Sequence, residues 1–130
     1  MKLITAKNKK DYIGLNGGLP WKCSADLRYF KEQTNGCKLL VGRKTFESLP
    51  PLKNRELIVV GRGYHTLNEA LDLNPDWVIG GASIYAQCAY LCDEWYISII
   101  NDYTEGDTLL SLPKLDNPPK VIYNYFEPNK

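Results

Sequence analysis

A single histidine, His65, and the lack of any Cys-x-x-Cys pair deprive this 130-residue chain of zinc-site ligand spacing, so no metal is expected. Charge of one sign is missing too. Sixteen basic residues against fifteen acidic ones leave a net charge of +1, which argues against nucleic-acid and membrane-surface partners. No apolar run is long enough for a membrane helix, and Met1-Lys2-Leu3-Ile4, followed by Lys7, Lys9 and Lys10, does not read as a signal peptide. The expectation is a cytoplasmic protein in which Cys23, Cys37, Cys88 and Cys92 stay as free thiols. Repeats, linkers and low-complexity stretches are absent as well. The length fits one domain, residues 1–130, which would bury roughly two thirds of its unfolded surface.

Short apolar runs alternate with short helical patterns, which points to an α/β domain. The expected strands are Lys2–Ala6, Lys38–Val41, Leu57–Val60, Trp77–Ile79, Glu94–Ile100 and Val121–Phe126. Leu39-Leu40-Val41, Leu57-Ile58-Val59-Val60 and Trp77-Val78-Ile79 are continuously apolar, as strands covered on both faces should be. About four short helices fit between them. Ser24 can cap one running to Thr34, and Thr45–Leu49 forms another, stopped by Pro50 and Pro51. Thr66-Leu67-Asn68-Glu69 is a capping box, and Ser83–Leu91 carries Ile84, Cys88 and Leu91 on one stripe. Gly14–Pro20 reads as a mobile loop. The class is therefore a mixed, mostly parallel twisted sheet flanked by helices.

Three strands end in glycine turns. Val41 leads into Gly42-Arg43-Lys44-Thr45, Ile79 into Gly80-Gly81-Ala82-Ser83, and Val60 into Gly61-Arg62. Glycine admits a close ligand, and a following helix start offers free N–H groups to an anion. In α/β sheets such turns face one crevice beyond the carboxyl ends of the strands, so a phosphate-rich ligand is expected. One such turn alone would be only a tight turn. The P-loop is excluded because Gly36 is wrongly spaced, and no Gly-x-Gly-x-x-Gly occurs.

The helix after Ser24 places Asp26 with Leu27 and Phe30, away from Arg28, Lys31 and Glu32. Such an aspartate either complements the helix dipole or is a buried functional carboxylate with a raised pKa. The second reading suits an amidine-like ring.

Several ordered segments resemble the dihydrofolate reductase family. They are Ile13-Gly14, Leu19-Pro20-Trp21, Ala25-Asp26-Leu27, Phe30-Lys31, Gly42 through Leu49, Arg55, Ile79-Gly80-Gly81-Ala82-x-Ile84-Tyr85 and Glu105-Gly106-Asp107-Thr108. The resemblance covers most of the chain. It implies reduction of 7,8-dihydrofolate to tetrahydrofolate, used in one-carbon and nucleotide synthesis, by hydride transfer from NADPH to pterin C6. Asp26 would then bind the N3 and 2-amino edge of the pterin, with Ser98 as partner, and promote protonation at N5. Trp21 would hold a water near Asp26, and Leu19 would sit in a loop closing over the nicotinamide.

Ile4, Thr5, Leu27, Phe30, Ser48, Leu49, Leu52 and Ile79 would line the substrate site, and Arg55 would pair with a glutamate carboxylate. Ala6 and Ile13 would touch the nicotinamide, and Tyr85 would either polarise it or serve as packing. Gly42, Arg43, Lys44, Thr45, Val60, Gly61, Gly80, Gly81, Ala82, Ser83, Ile84 and Thr108 complete the cofactor side. Arg43 and Arg62 would meet the 2′-phosphate, unless Arg62 is simply a solvated surface residue.

The chain departs from the family at three points. Only 14 residues lie between Arg62 and Trp77, Ala82 replaces a third glycine, and 22 residues follow Thr108 where the family ends in a longer hairpin whose last strand enters the sheet. A short form without that strand would leave a sheet edge, to be covered by a rearranged tail or by pairing in a homodimer. Two other functions fit parts of the pattern: a riboflavin-pathway NADPH reductase, and an inactive binder of folate and NADPH.

Overall fold

The structure, a computed structural model, describes residues 1–130. Its strands are β1 (Lys2–Asn8), β2 (Tyr12–Gly14), β3 (Lys38–Gly42), β4 (Glu56–Val60), β5 (Trp77–Val78), β6 (Glu94–Ile100), β7 (Thr108–Leu109) and β8 (Lys120–Phe126). The helices are α1 (Ser24–Thr34), α2 (Arg43–Ser48), α3 (Leu67–Asp72) and α4 (Ala82–Cys88), the last followed by a 3₁₀ turn at Ala89–Leu91. The main sheet has the order β4-β3-β5-β1-β6-β8, and every neighbouring pair in it is parallel. A separate antiparallel ribbon joins β2 to β7.

The central strands are buried on both faces, which is why they read as unbroken apolar runs. Alternation sorts their side chains into two cores. Leu3, Leu40, Ile58 and Val78 join Ile84, Tyr85 and Cys88 on the α3–α4 side. Ile4, Leu39, Val41, Val59, Trp77 and Ile79 face the α1–α2 side. Each fully buried aliphatic side chain contributes roughly 1.5–3 kcal/mol of transfer free energy. The capping box at Thr66 is present, with Thr66 N–H on Glu69 Oε1 at 2.8 Å and Glu69 N–H on Thr66 Oγ1 at 3.2 Å.

Several details differ from the sequence reading. Ser24 is the first residue of α1 and not its cap; Cys23 holds the cap position without a capping side chain. The inward stripe of α1 is Asp26, Tyr29, Phe30, Gln33 and Thr34, and Leu27 is 48% exposed because one helical step turns it away. Leu91 is exposed, since the 3₁₀ turn breaks the period that would have aligned it with Ile84 and Cys88. α2 begins at Arg43, two residues earlier than expected.

The segment after Gly14 is not featureless. Leu15 and Gly18 exchange backbone hydrogen bonds at 2.9 and 3.0 Å around Asn16 (φ 50°) and Gly17 (φ 80°), the positive-φ pair of a type I′ turn. The ribbon braces it: Asn16 N–H donates to Asp107 Oδ2 at 2.9 Å, and Asp107 N–H donates to Gly14 O at 2.9 Å. The Asn16 bond holds the Asp107 carboxyl below its ordinary range.

The edge of β6 is covered by β8, in register from Glu94↔Lys120 to Ile100↔Phe126. The tail therefore rearranges to close that edge. No helix is long and apolar enough to cross a membrane.

Gly106 sets the spacing between the ribbon and the loop it braces. A Cβ there would lie 2.2 Å from Gly14 O. Gly106→Ala should lower unfolding stability by about 1–3 kcal/mol, as overpacked substitutions do, and speed amide exchange at Asn16. Urea denaturation with exchange mass spectrometry checks this; a parent-like midpoint with parent-like exchange contradicts it.

Candidate active site

Parallel strands bring their carboxyl ends to one side of the sheet, and the three glycine turns meet there. Gly42 N–H donates to Gly80 O at 2.8 Å, tying the end of β3 to the turn after β5. A Cβ on Gly42 would sit 2.9 Å from Ile84 Cγ1, and one on Gly81 would sit 2.8 Å from Thr45 Oγ1. At the third turn, Gly61 has φ +150°, and a Cβ there would lie 2.7 Å from Arg43 Cβ. Glycine is required at these positions because backbone meets helix start at van der Waals distance. Ala82, where a third glycine was considered, begins α4 in helical backbone and its methyl is accommodated.

Cations line this rim unequally. Arg43 Nε donates to Glu47 Oε1 at 2.7 Å and its Nη1 to Arg62 O at 3.4 Å, so its guanidinium is already engaged. Arg62 and Lys44 are exposed and make no ion pair. Ser83 accepts from Gln87 Nε2 at 3.1 Å, which leaves its hydroxyl proton available. Thr108 packs against Gly14 in the ribbon and donates to Asp107 Oδ1 at 3.0 Å. Crowded glycines, free helix N–H groups and an unpaired Arg62 together fit a dinucleotide with an extra phosphate.

Across β1 lies a second half-site. Asp26 is half-buried on α1, and burial pushes its carboxyl above the ordinary range, while the Ser98 hydroxyl of β6 opposes part of the rise. Phe30, Leu49 and Leu52 pack with Ile4 and Ile79 in one apolar cluster, as expected of a ring-binding wall. Leu27 stands outside that cluster. Thr5 is buried on β1, and Ala6 pairs with Ser98 in the β1–β6 ladder. Ser48 donates to Thr45 O at 2.9 Å, closing the last turn of α2.

Arg55 is held where α1 ends. Its Nε donates to Thr34 Oγ1 at 3.1 Å, and its two terminal nitrogens donate to the carbonyls of Lys53 and Lys31. Three of its five N–H groups are thereby spent on fixing its plane, and the others remain for an anion.

Between the halves stands Tyr85. Its ring packs on Gly80, and its hydroxyl donates to Ile4 O at 2.7 Å. Burial pushes its pKa far up, so it acts as a neutral strut joining α4 to β1. Ile13 and Val60 pack against the core that contains Tyr85 and Ile84. Leu19 is 57% exposed at the mouth. Trp21 is buried, and its Nε1–H has no partner within the protein, a donor left for a ligand or an ordered water.

Sequence reading missed Tyr29. It accepts from Asn124 Nδ2 at 2.8 Å, its ring meets Phe126 at 5.7 Å, and it joins α1 to β8. Its position four residues before Gln33 and three after Asp26 on the inward stripe was the available signal.

The dihydrofolate reductase family model matches residues 1–119. The chain is 36% identical over 122 residues to dihydrofolate reductase of Bacillus subtilis, covering 82% of this chain and 73% of that one. It is 34% identical over 131 residues to the Mycobacterium tuberculosis enzyme of the same name, covering 88% and 80%. Among solved structures it is similar to dihydrofolate reductase from Enterococcus faecalis complexed with NADP(H) and RAB-propyl, at TM-score 0.77 and 32% identity, covering 88% of this chain and 77% of that one. The match spans both half-sites and the glycine turns between them: this chain belongs to the dihydrofolate reductase family.

Proposed function

We infer that the chain is an NADPH-dependent dihydrofolate reductase. The observation that carries this is the pairing of a half-buried Asp26, on the helix that supplies Phe30 to an apolar wall, with a glycine-lined phosphate rim across β1. Ile4, Phe30, Leu49, Leu52 and Ile79 hold the pterin and its aryl arm, with Leu27 left at the exposed rim. The free N–H groups of Arg55 take a glutamate carboxylate. Gly42, Lys44, Thr45, Gly80, Gly81, Ala82 and Ser83 hold the pyrophosphate, Arg62 holds the 2′-phosphate, and Ala6, Ile13 and Leu19 border the nicotinamide. Bound NADPH supplies the hydride.

The residues do the rest by orientation and proton supply. Asp26 grips the amidine edge of the pterin and, because burial keeps its proton to higher pH, supports protonation at N5. Tyr85 fixes the distance between Gly80 and β1 through Ile4 O. Leu19 and Trp21 shield the mouth from bulk water.

With the β6 edge covered by β8, the chain stands as a monomer, and the one edge left on this side for a homodimer is the open side of β8. Asn101 N–H donates to Phe126 O and Lys120 N–H to Asp93 O, so Lys120, Ile122, Asn124 and Phe126 turn their backbone to β6. Val121, Tyr123 and Tyr125 therefore present theirs outward. Light scattering should give the 14.8 kDa chain mass, and twice that mass at high concentration would overturn the monomer in favour of pairing through β8.

Asp26→Asn should cut kcat/KM for dihydrofolate by about 10²–10⁴, the range for a positioned acid. It should also stabilise the ligand-free protein at neutral pH. A carboxyl whose pKa is raised on folding favours the fold below its unfolded pKa and loses that contribution as pH rises through the folded value. The gain should vanish in acid, where both side chains are neutral. NADPH oxidation and melting across pH check both effects; undiminished turnover sinks the assignment of Asp26, and a folded parent without dihydrofolate-dependent turnover sinks the function.

Arg62→Ala should shift preference toward NADH by about tenfold, one lost charge-assisted contact, while Arg43→Ala shifts it less because Glu47 already holds Arg43. The ratio of kcat/KM for the two cofactors decides; equal shifts contradict this account.

A further inference from the structure

The helix that carries Asp26 has no cap of its own. Cys23 occupies the cap position, yet its side chain caps nothing and its Sγ donates to Glu127 O at 3.2 Å. The first turn is served from the far end of the described chain. Ser24 N–H donates to Asn129 Oδ1 at 3.0 Å, and Asn129 Nδ2 donates to Ser24 Oγ at 3.0 Å. Asn129 N–H donates to Lys22 O at 2.7 Å. The connection between Trp21 and α1 is thus gripped at Lys22, Cys23 and Ser24 by Glu127 and Asn129.

A second grip lies one turn further along the helix. Asn124 donates to Tyr29 Oη, and Phe126 meets the Tyr29 ring. Asp26 sits between the two grips, two residues after Ser24 and three before Tyr29. A free first turn would fray, since its N–H groups have no helical partners. Asn129 satisfies one of them and adds two further bonds to the same segment.

We propose that Asn129 is a positioning residue: by capping α1 from the segment after β8, it fixes the depth at which Asp26 enters the substrate cleft. Its amide side chain suits the task because it accepts from one group and donates to another. An aspartate would keep the acceptor and could receive the Ser24 hydroxyl proton, so it should substitute. Alanine could do neither.

The test compares the parent chain with Asn129→Ala and Asn129→Asp. The structural arms do not depend on turnover. Amide exchange at Ser24–Leu27 should quicken about five- to tenfold in Asn129→Ala, as loss of one helix cap implies, with β1 and β3 unchanged. The Asp26 carboxyl, followed by ¹³C NMR, should titrate at lower pH in Asn129→Ala as water reaches it. Its neighbours are Ser98 on β6, Tyr29 on α1 and Tyr85 on α4, all uncharged at neutral pH, so no other group should mimic that shift. Asn129→Asp should restore slow exchange; because its own charge lies close to Asp26, the titration is compared only between the parent and Asn129→Ala.

The kinetic arm rests on the reductase reading. There KM for dihydrofolate should rise more than kcat falls, again with rescue by Asn129→Asp. Parent-like exchange and titration in Asn129→Ala overturn the proposal. So does faster exchange with an unmoved Asp26 titration, which would make Asn129 a stability contact only. A parent without turnover would discard the reductase reading and leave the exchange and titration arms to decide on Asn129.

Discussion

All strands of the main sheet run the same way, and the site depends on that constraint. Parallel strands deliver their carboxyl ends to one side, so the turns after β3, β4 and β5 converge without any long excursion of the chain. Convergence crowds the turns against helix starts. That crowding is what excludes side chains at Gly42, Gly61 and Gly81; the Gly42 and Gly61 N–H groups are spent on Gly80 O and His65 O, so the N–H groups left to the lining are those at the helix starts. Phosphate affinity then follows from the fold geometry, with few dedicated side chains.

The second half-site is built on a different principle. α1 lies against the sheet through Tyr29 and Phe30, and its Asp26 is carried into a partly desolvated position beside Ser98. Burial there disfavours the charged carboxyl, which is a cost to the ligand-free fold and an advantage to a group that must hold a proton. The two half-sites meet at β1, where Tyr85 ties the glycine turn to Ile4 O. Helix α1, in turn, is steadied by β8 and by the residues that follow it, so the last strand contributes to the site as well as to the sheet.

Much of this was legible because doubly covered parallel strands leave an unmistakable mark. Leu39-Leu40-Val41 and Leu57-Ile58-Val59-Val60 could be placed from apolarity alone, and the Thr66–Glu69 box marked its helix. The glycine turns were visible for the same reason: each follows such a strand. What escaped depends on distant parts of the chain. β2 and β7 are three and two residues long, too short for periodicity, and exist only by pairing across roughly ninety residues of sequence. The Asn16-Gly17 turn was written in its dipeptide, yet only Asp107 shows that it is held. Cys23 in place of Ser24 as cap, and the reach of Asn129 to α1, likewise had no local signature.

The central claim is that one cleft holds a nicotinamide and a pterin face to face, with the protein orienting both. The most direct measurement uses NADPH deuterated at the transferring position of C4, incubated with dihydrofolate and this protein in ordinary water. NMR of the product should show one deuterium at C6 of the tetrahydropterin and a solvent proton at N5. Deuterium absent from C6, with that hydrogen drawn from water, would contradict direct transfer within the cleft.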